Sequence, residues 1–180
     1  MVLEIVYVTH ATSLDNEAGV ASGQTDPGLS RLGMAQAAGL SRRLARERFD
    51  LIVCSDLQRS WQTATTAFRG RIDIVRDSRL REIDFGSLAR RPLGEIDAVR
   101  LDHVDAPFPQ GESWAEAASR HAELLVDLAV RRSRVLLVGH RATYVALRHF
   151  CAAVPLVEAV ADPRRWQPRW DFLHVAEGST

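Results

Sequence analysis

The stretch Val2-Leu3-Glu4-Ile5-Val6-Tyr7-Val8-Thr9-His10-Ala11-Thr12-Ser13-Leu14-Asp15-Asn16 passes from an apolar run into a small polar one. Leu3 to Val8 is β-branched and aromatic, with Glu4 as its only charge, which is the composition and length of a buried strand. Strands covered on both faces are typical of parallel sheets in α/β domains. Beyond Val8 the residues turn small and polar around one imidazole, His10. Open α/β sheets place ligands just past the carboxyl ends of their strands. His10 is therefore positioned to be a nucleophile, a base or a ligand, or else an ordinary loop histidine. This stretch alone admits both readings.

Two more runs repeat the pattern. Asp50-Leu51-Ile52-Val53-Cys54 leads into Ser55-Asp56-Leu57-Gln58-Arg59, and Val135 to Val138 leads into Gly139-His140-Arg141-Ala142-Thr143. Helical patterns lie between. Ser30 is a good N-cap for a helix whose apolar stripe is Gly33, Ala37, Leu40 and Leu44. Arg42, Arg43, Arg46 and Arg48 fall mostly off that stripe and are read as a solvated face. Ser55 or Asp56 caps a second helix running to about Phe68. A long helix starts at Ser113 with Trp114, Ala117, Ala118, His121, Leu124, Leu125 and Leu128 on one face. On that apolar face His121 reads as a satisfied core histidine. Tyr144 to Cys151 continues as a helix.

Arg71 to Arg76 and Phe172 to Val175 are candidate edge strands. Ser87 to Gly111, with Pro92, Pro107 and Pro109, reads as an irregular loop or small cap at about 87–111, of the kind that sets specificity. Strands alternating with helices and no linker predict one α/β domain over residues 1–180, with a mostly parallel central sheet in three α/β/α layers.

Composition removes several function classes. A length of 180 residues with 46% hydrophobic content suits one domain with a sizeable core. The formal net charge of zero argues against a nucleic-acid footprint. All 23 basic residues are arginine, so lysine nucleophiles and Schiff bases are excluded. Cys54 reads as a small buried residue, and Cys54 and Cys151 form no disulfide framework. No signal-peptide pattern opens the sequence and no apolar run reaches membrane-spanning length, so a cytoplasmic location is expected, without membrane or nucleic-acid partners. The tail arginines Arg164, Arg165 and Arg169 are read as solvated surface.

The polar ends of the three strands carry His10, Arg59 and His140, and a parallel sheet brings such ends to one edge. With Glu82 from the acidic loop Leu80–Gly86 they suit phosphoryl transfer. A neutral imidazole can attack phosphorus and carry the phosphoryl group. An arginine fork grips two non-bridging oxygens. A second histidine, if protonated, stabilises charge on the equatorial oxygens. A carboxylic acid can protonate the leaving oxygen and then, as carboxylate, activate water.

These residues resemble the histidine phosphatase superfamily, in its phosphoglycerate mutase-like and fructose-2,6-bisphosphatase-like branch, from about Leu3 to Phe150. His10 with Asn16 six residues on reproduces the spacing of Arg-His-Gly-x-Thr-x-x-Asn, with Ser13 in the threonine place. Leu29-Ser30-Arg31-Leu32-Gly33-Met34-Ala35-Gln36-Ala37 is similar to Leu-Ser-x-x-Gly-x-x-Gln-Ala. Ser55 to Ala64 is similar to Ser-Asp-Leu-x-Arg-x-x-Gln-Thr-Ala. Leu80 to Gly86 looks like the stretch bearing the proton donor, and Val135 to Ala142 like the strand ending in the second histidine.

The resemblance implies a phosphoglycerate mutase-like fold and a metal-independent phosphohistidine mechanism without cofactor. His10 is then the nucleophile, Glu82 the acid/base with Asp84 as competitor, and His140 the second phosphate-pocket histidine. Arg59 is a phosphate ligand, Asn16 supports the pocket loop, and Thr9, Ser22 and Arg141 complete the expected phosphate-binding set. Four positions depart from the family pattern: Thr9 replaces arginine, Ala11 replaces glycine, and Arg141-Ala142 replaces Gly-Gly. Neighbouring strands lie about 4.8 Å apart, so Arg141 is expected to supply the guanidinium that position 9 lacks. The expected activity is hydrolysis of a small phosphorylated metabolite, a phosphomonoester. The alternatives are a phosphomutase, or a catalytically altered or inactive family member that binds or regulates. A homodimer is left open.

Overall fold

The computed structural model describes residues 2–131, 134–163 and 169–175. In chain order the elements are β1 (Val2–Thr9), α1 (Leu14–Glu17), α2 (Arg31–Arg43), β2 (Leu51–Cys54), α3 (Gln58–Phe68), β3 (Ile74–Arg76), α4 (Leu93–Val99), α5 (Trp114–Arg131), β4 (Arg134–Gly139), α6 (Arg141–Ala152), α7 (Leu156–Ala161) and β5 (Trp170–Val175). The sheet order is β3-β2-β4-β1-β5. The first four strands are mutually parallel, and β5 runs antiparallel on the β1 edge.

Period-2 alternation divides the core between the two faces of this sheet. Leu3, Ile5, Tyr7, Leu51, Val53, Val135 and Leu137 pack with Leu124, Leu125 and Leu128 of α5 and with Tyr144 and Leu147 of α6. Val6, Val8, Ile52, Cys54, Leu136 and Val138 face Leu40 and Leu44, with Ala64, Ala67 and Phe68 of α3. The result is the three-layer sandwich expected from the alternating pattern. A third cluster, including Ala21, Ile83, Phe85, Phe108, Trp114, Ala142 and Val145, lies beneath the 87–111 segment.

The two strands that end in histidine are neighbours in register, with Thr9 opposite Gly139. The His10 amide donates to the Gly139 carbonyl at 2.9 Å. Two glycines allow this crowding. A Cβ on Gly139 would stand 2.3 Å from the Thr143 hydroxyl, and one on Gly33 would stand 2.0 Å from the Thr12 carbonyl, which seats the start of α2 against the loop after His10.

Several expectations need correction. The Ser55–Asp56 cap is absent: the α3 N-cap is Leu57, without a side-chain bond, and the Gln58 amide donates to Asp26 Oδ1 at 2.6 Å. A carboxylate from another loop does the capping because Asp56 is bound to Arg81 instead. The predicted 71–76 strand shortens to Ile74–Arg76, since β2, its only partner, offers register from Ile52 to Cys54. The 87–111 segment is not irregular throughout. It holds α4 and a 3₁₀ turn at Arg100–His103, and buries Ile96 and Phe108. Helix α7, which follows Pro155, was not anticipated. Ser30 does cap α2, accepting from the Gly33 amide. Arg164 and Arg165 lie outside the described residues, whereas Arg169 pairs with Glu47 and Asp171.

Candidate active site

A cavity of about 930 Å³ opens at the carboxyl ends of β1 and β4. His10, Thr9, Asn16, Ser22, Arg59, Glu82 and Arg141 all line it. The sequence-predicted residues are thus gathered in one place, with His140 directly behind. His140 is wholly buried, and its ring centre lies 4.9 Å from that of His10.

His10 is oriented by its own loop. Its Nδ1 lies 2.8 Å from the Ala11 carbonyl. A carbonyl only accepts, so in the neutral ring the proton sits on Nδ1 and Nε2 carries the lone pair. Thr63 accepts from the Ala11 amide at 2.9 Å, and Gln36 Oε1 accepts from both the amide and the hydroxyl of Thr12. Ser13 and Asn16 form a reciprocal capping box on α1, at 3.2 and 3.0 Å, which closes the loop.

Arg59 sits on the first turn of α3 and is 2% exposed. Its Nη1 donates to the Thr25 carbonyl at 2.8 Å and its Nη2 to the Gly23 carbonyl at 2.7 Å. Guanidinium has five N–H donors, so two bonds fix the fork and leave donors for an anion. Burial lowers the Arg59 pKa, opposed by the negative charges of Glu82, Asp26 and Asp15.

Burial also holds the His140 imidazole well below the usual histidine range, and the nearby Arg59 and His10 push the same way. Among the described residues neither ring nitrogen of His140 has a hydrogen-bond partner. Its backbone is firmly held. The Tyr7 hydroxyl donates to the His140 carbonyl at 2.7 Å, and the His140 amide donates to Thr143 Oγ1 at 3.3 Å. Thr143 in turn meets His121 Nε2 at 3.1 Å, while His121 Nδ1 donates to the Ala117 carbonyl at 2.7 Å. His121 is the satisfied core histidine expected, and it ties α5 to the turn that carries His140.

Glu82 spans the start of α6. Its Oε2 accepts from the Arg141 amide at 3.1 Å, and its Oε1 from the Ala142 and Ile83 amides at 2.9 and 3.0 Å. Asp84 turns away, with Oδ1 accepting from the Gly86 amide, and is not among the cavity-lining residues. Of the two carboxylates, only Glu82 reaches the site.

The Glu82 loop is clamped by two residues that no motif singled out. Arg120 of α5 donates to the carbonyls of Arg79, Arg81 and Glu82 at 2.7, 2.7 and 3.0 Å. It also forms a two-pronged pair with Glu112 at 2.7 and 3.1 Å. Glu112 Oε1 accepts from the Asp84 amide. The sequence places Arg120 on a long helix and Glu112 before its start, but nothing local says that either reaches a loop some thirty or forty residues earlier.

Arg141 departs from expectation. Its Nη2 donates to the carbonyls of Val160 and Asp162 at 3.0 and 2.9 Å, and Nη1 lies 4.0 Å from Asp97. Its guanidinium is engaged by the C-terminal carbonyls of α7, where a cation complements the helix dipole. The Thr9 hydroxyl lies 3.2 Å from the Tyr7 hydroxyl. Arg42 and Arg43 are exposed, as expected of a solvated face, and also border the cavity along α2.

Among the described residues no group of three or more His, Cys, Asp or Glu side chains is arranged to hold a metal ion, and no helix is long and apolar enough to cross a membrane.

Comparison with known proteins places this site in context. Residues 5–160 match the family model of the histidine phosphatase superfamily, branch 1. The probable phosphoglycerate mutase GpmB of Proteus mirabilis is 36% identical over 149 residues, covering 77% of this chain and 69% of the relative. Among solved structures, a mycobacterial glucosyl-3-phosphoglycerate phosphatase complexed with VO3 aligns with a TM-score of 0.78 and 26% identity, over 88% of this chain and 85% of that one. A protein described as mycobacterial hydrolase 2 aligns at 0.83 and 26%, over 99% and 85%.

Proposed function

The chain belongs to the histidine phosphatase superfamily, and from that premise we propose that it is a phosphohydrolase acting on a small-molecule phosphomonoester through a phosphohistidine. The observation that carries this reading is the pair of imidazoles 4.9 Å apart at the ends of two adjacent parallel strands, with Arg59 and Glu82 lining the same cavity.

His10 Nε2 attacks phosphorus as the bond to the leaving oxygen breaks. Glu82, as the carboxylic acid, gives its proton to that oxygen. Water then attacks the phosphohistidine, Glu82 takes the water's proton, and inorganic phosphate leaves His10 neutral again. Arg59 and His140 hold the equatorial oxygens through both steps.

The relative from Proteus is named a probable mutase, so transfer back to the organic product is the second reading. The test is one reaction followed two ways. Labelled substrate quenched in base during turnover yields a base-stable, acid-labile adduct on His10, and the released product is inorganic phosphate. An adduct on His140, full turnover by His10→Ala, or an isomerised phosphoester in place of phosphate overturns the proposal.

A further inference from the structure

Resting on the phosphohydrolase reading, we infer that the leaving group of the substrate is a bulky, uncharged and largely apolar body. In-line displacement puts the leaving oxygen opposite the attacking nitrogen. With His10 on one side, the leaving group extends toward Glu82. The apolar lining on the segments next to Glu82 is Val20, Ala21, Phe85 and Leu93, with Ser22 and Arg141 lining the same cavity.

This wall is built into the fold. The segment carrying Val20 and Ala21 is laced to the start of α4. The Ala21 amide donates to the Arg91 carbonyl at 2.9 Å, the Arg90 amide to the Ala21 carbonyl at 2.7 Å, and the Leu93 amide to the Gly19 carbonyl at 3.0 Å. Phe85 is held edge-on against buried Phe108, ring centres 5.1 Å apart. A Cβ on Gly23 would stand 2.9 Å from the Phe85 ring, so the loop lies directly against it. Leu93 remains 51% exposed at the rim, an apolar side chain whose burial a ligand can complete.

Among the described residues the cavity's cations are Arg59, Arg141, Arg42 and Arg43. Arg59 serves the phosphoryl group, and the Arg141 guanidinium is engaged by the end of α7. Arg42 and Arg43 lie nine and ten residues along α2 from Gly33, roughly 14 Å at helical rise from the helix start that packs on Thr12. A carboxylate or second phosphate on the leaving group would stand against this apolar wall and beside the Glu82 carboxylate, where it loses solvation and meets a like charge. The whole cavity, its phosphate end and its α2 end included, has about 930 Å³, which leaves room for a leaving group larger than a three-carbon acid.

The experiment uses the full chain and two alkyl phosphates, 3-phenylpropyl phosphate and 3-phosphoglycerate, with p-nitrophenyl phosphate as a general probe of turnover. The expected kcat/KM is 10–100-fold higher for the phenylpropyl ester, and Leu93→Arg narrows or reverses that ratio. Equal values, or a preference for 3-phosphoglycerate, overturn the inference. A binding arm separates the two claims. 4-Phenylbutylphosphonate, which is not hydrolysed, binds at least 10-fold more tightly than 2-carboxyethylphosphonate by calorimetry, whether or not the protein turns over. Absence of p-nitrophenyl phosphate hydrolysis overturns the phosphohydrolase reading, while equal phosphonate affinities overturn the apolar subsite.

Discussion

The rings of His10 and His140 lie 4.9 Å apart, yet His10 faces the cavity while His140 is fully enclosed behind it. The difference in burial assigns them different protonation behaviour. His140 is held well below the usual histidine range by desolvation, so in the free protein it is neutral at pH 7. Its two unpartnered nitrogens give a bound oxyanion something to pair with, and such a pairing favours the charged ring. The expected result by NMR is that His140 does not titrate between about pH 5 and 8 in the free protein, and that its titration moves upward with bound vanadate or phosphate. A free-state midpoint near 6.5 contradicts the burial argument.

Glu82→Gln keeps the size and some of the hydrogen bonding at the start of α6 but removes the titrating proton. General acid catalysis of this kind is worth typically ~10²–10⁴-fold. The loss should fall on alkyl phosphates, whose leaving oxygen needs protonation, and be small for p-nitrophenyl phosphate. Equal losses on both would remove Glu82 from the acid role. Because Asp84 is turned to the Gly86 amide, Asp84→Asn should leave this leaving-group dependence intact.

The sheet, its strand order of burial and the residues around the cavity were legible because each depends on local pattern. A buried strand needs an apolar run, and the strand ends carry the chemistry in parallel sheets. What stayed hidden depends on groups distant in sequence. Asp26 replaces the expected cap of α3, Arg120 holds a loop forty residues earlier, and α7 provides the carbonyls that draw Arg141 away. No periodicity reports a side chain's choice among several distant carbonyls. Arg42 and Arg43 are exposed, as the helical pattern indicates, but that pattern says nothing about the cavity that they also border.

Arg120→Met should loosen the Glu82 loop. It leaves the carbonyls of Arg79, Arg81 and Glu82 without their donor and Glu112 without its counter-ion. Breaking a mostly buried pair of this kind costs about 2–4 kcal/mol. A positioning role has a further signature: kcat for alkyl phosphates falls more than kcat for p-nitrophenyl phosphate, and Arg120→Lys restores part of it. Reduced stability with an unchanged ratio of the two rates would leave Arg120 a purely structural residue.

Two buried neutral histidines make stability sensitive to acid. Burial lowers His121 to about 3 and holds His140 well below its usual value. The unfolded chain takes up protons on both below about pH 6.5, while the folded one does not. Their stabilising contribution is therefore fully present above pH 6.5 and is lost as pH falls toward the folded values. Each group costs roughly 1.4 kcal/mol per pH unit within that window. Urea unfolding from pH 7 to pH 5 should show the decline, and His121→Gln should flatten part of it. A pH-independent midpoint would mean that the rings are accessible to protons when folded.

Position 9 gives the sharpest test of the phosphate end. Thr9 lines the cavity opposite Gly139, and its hydroxyl lies 3.2 Å from the Tyr7 hydroxyl. Arg141, expected to compensate, has its guanidinium on Val160 and Asp162 carbonyls. On the proposed reading Arg59 is the guanidinium that serves the phosphoryl group. A new arginine at position 9 starts from a cavity-lining backbone position and needs no rearrangement of α7. Charge-assisted hydrogen bonds are worth ~1.5–3 kcal/mol, or roughly 10–100-fold in affinity. Thr9→Arg should therefore tighten competitive inhibition by inorganic phosphate by that factor, and Thr9→Val should change it little. Arg141→Ala should lower thermal stability, by freeing the end of α7, with less than a threefold effect on phosphate inhibition. If Arg141→Ala instead weakens phosphate as severely as Arg59→Ala does, its guanidinium swings into the pocket when the anion binds, and the assignment of Arg141 to α7 fails.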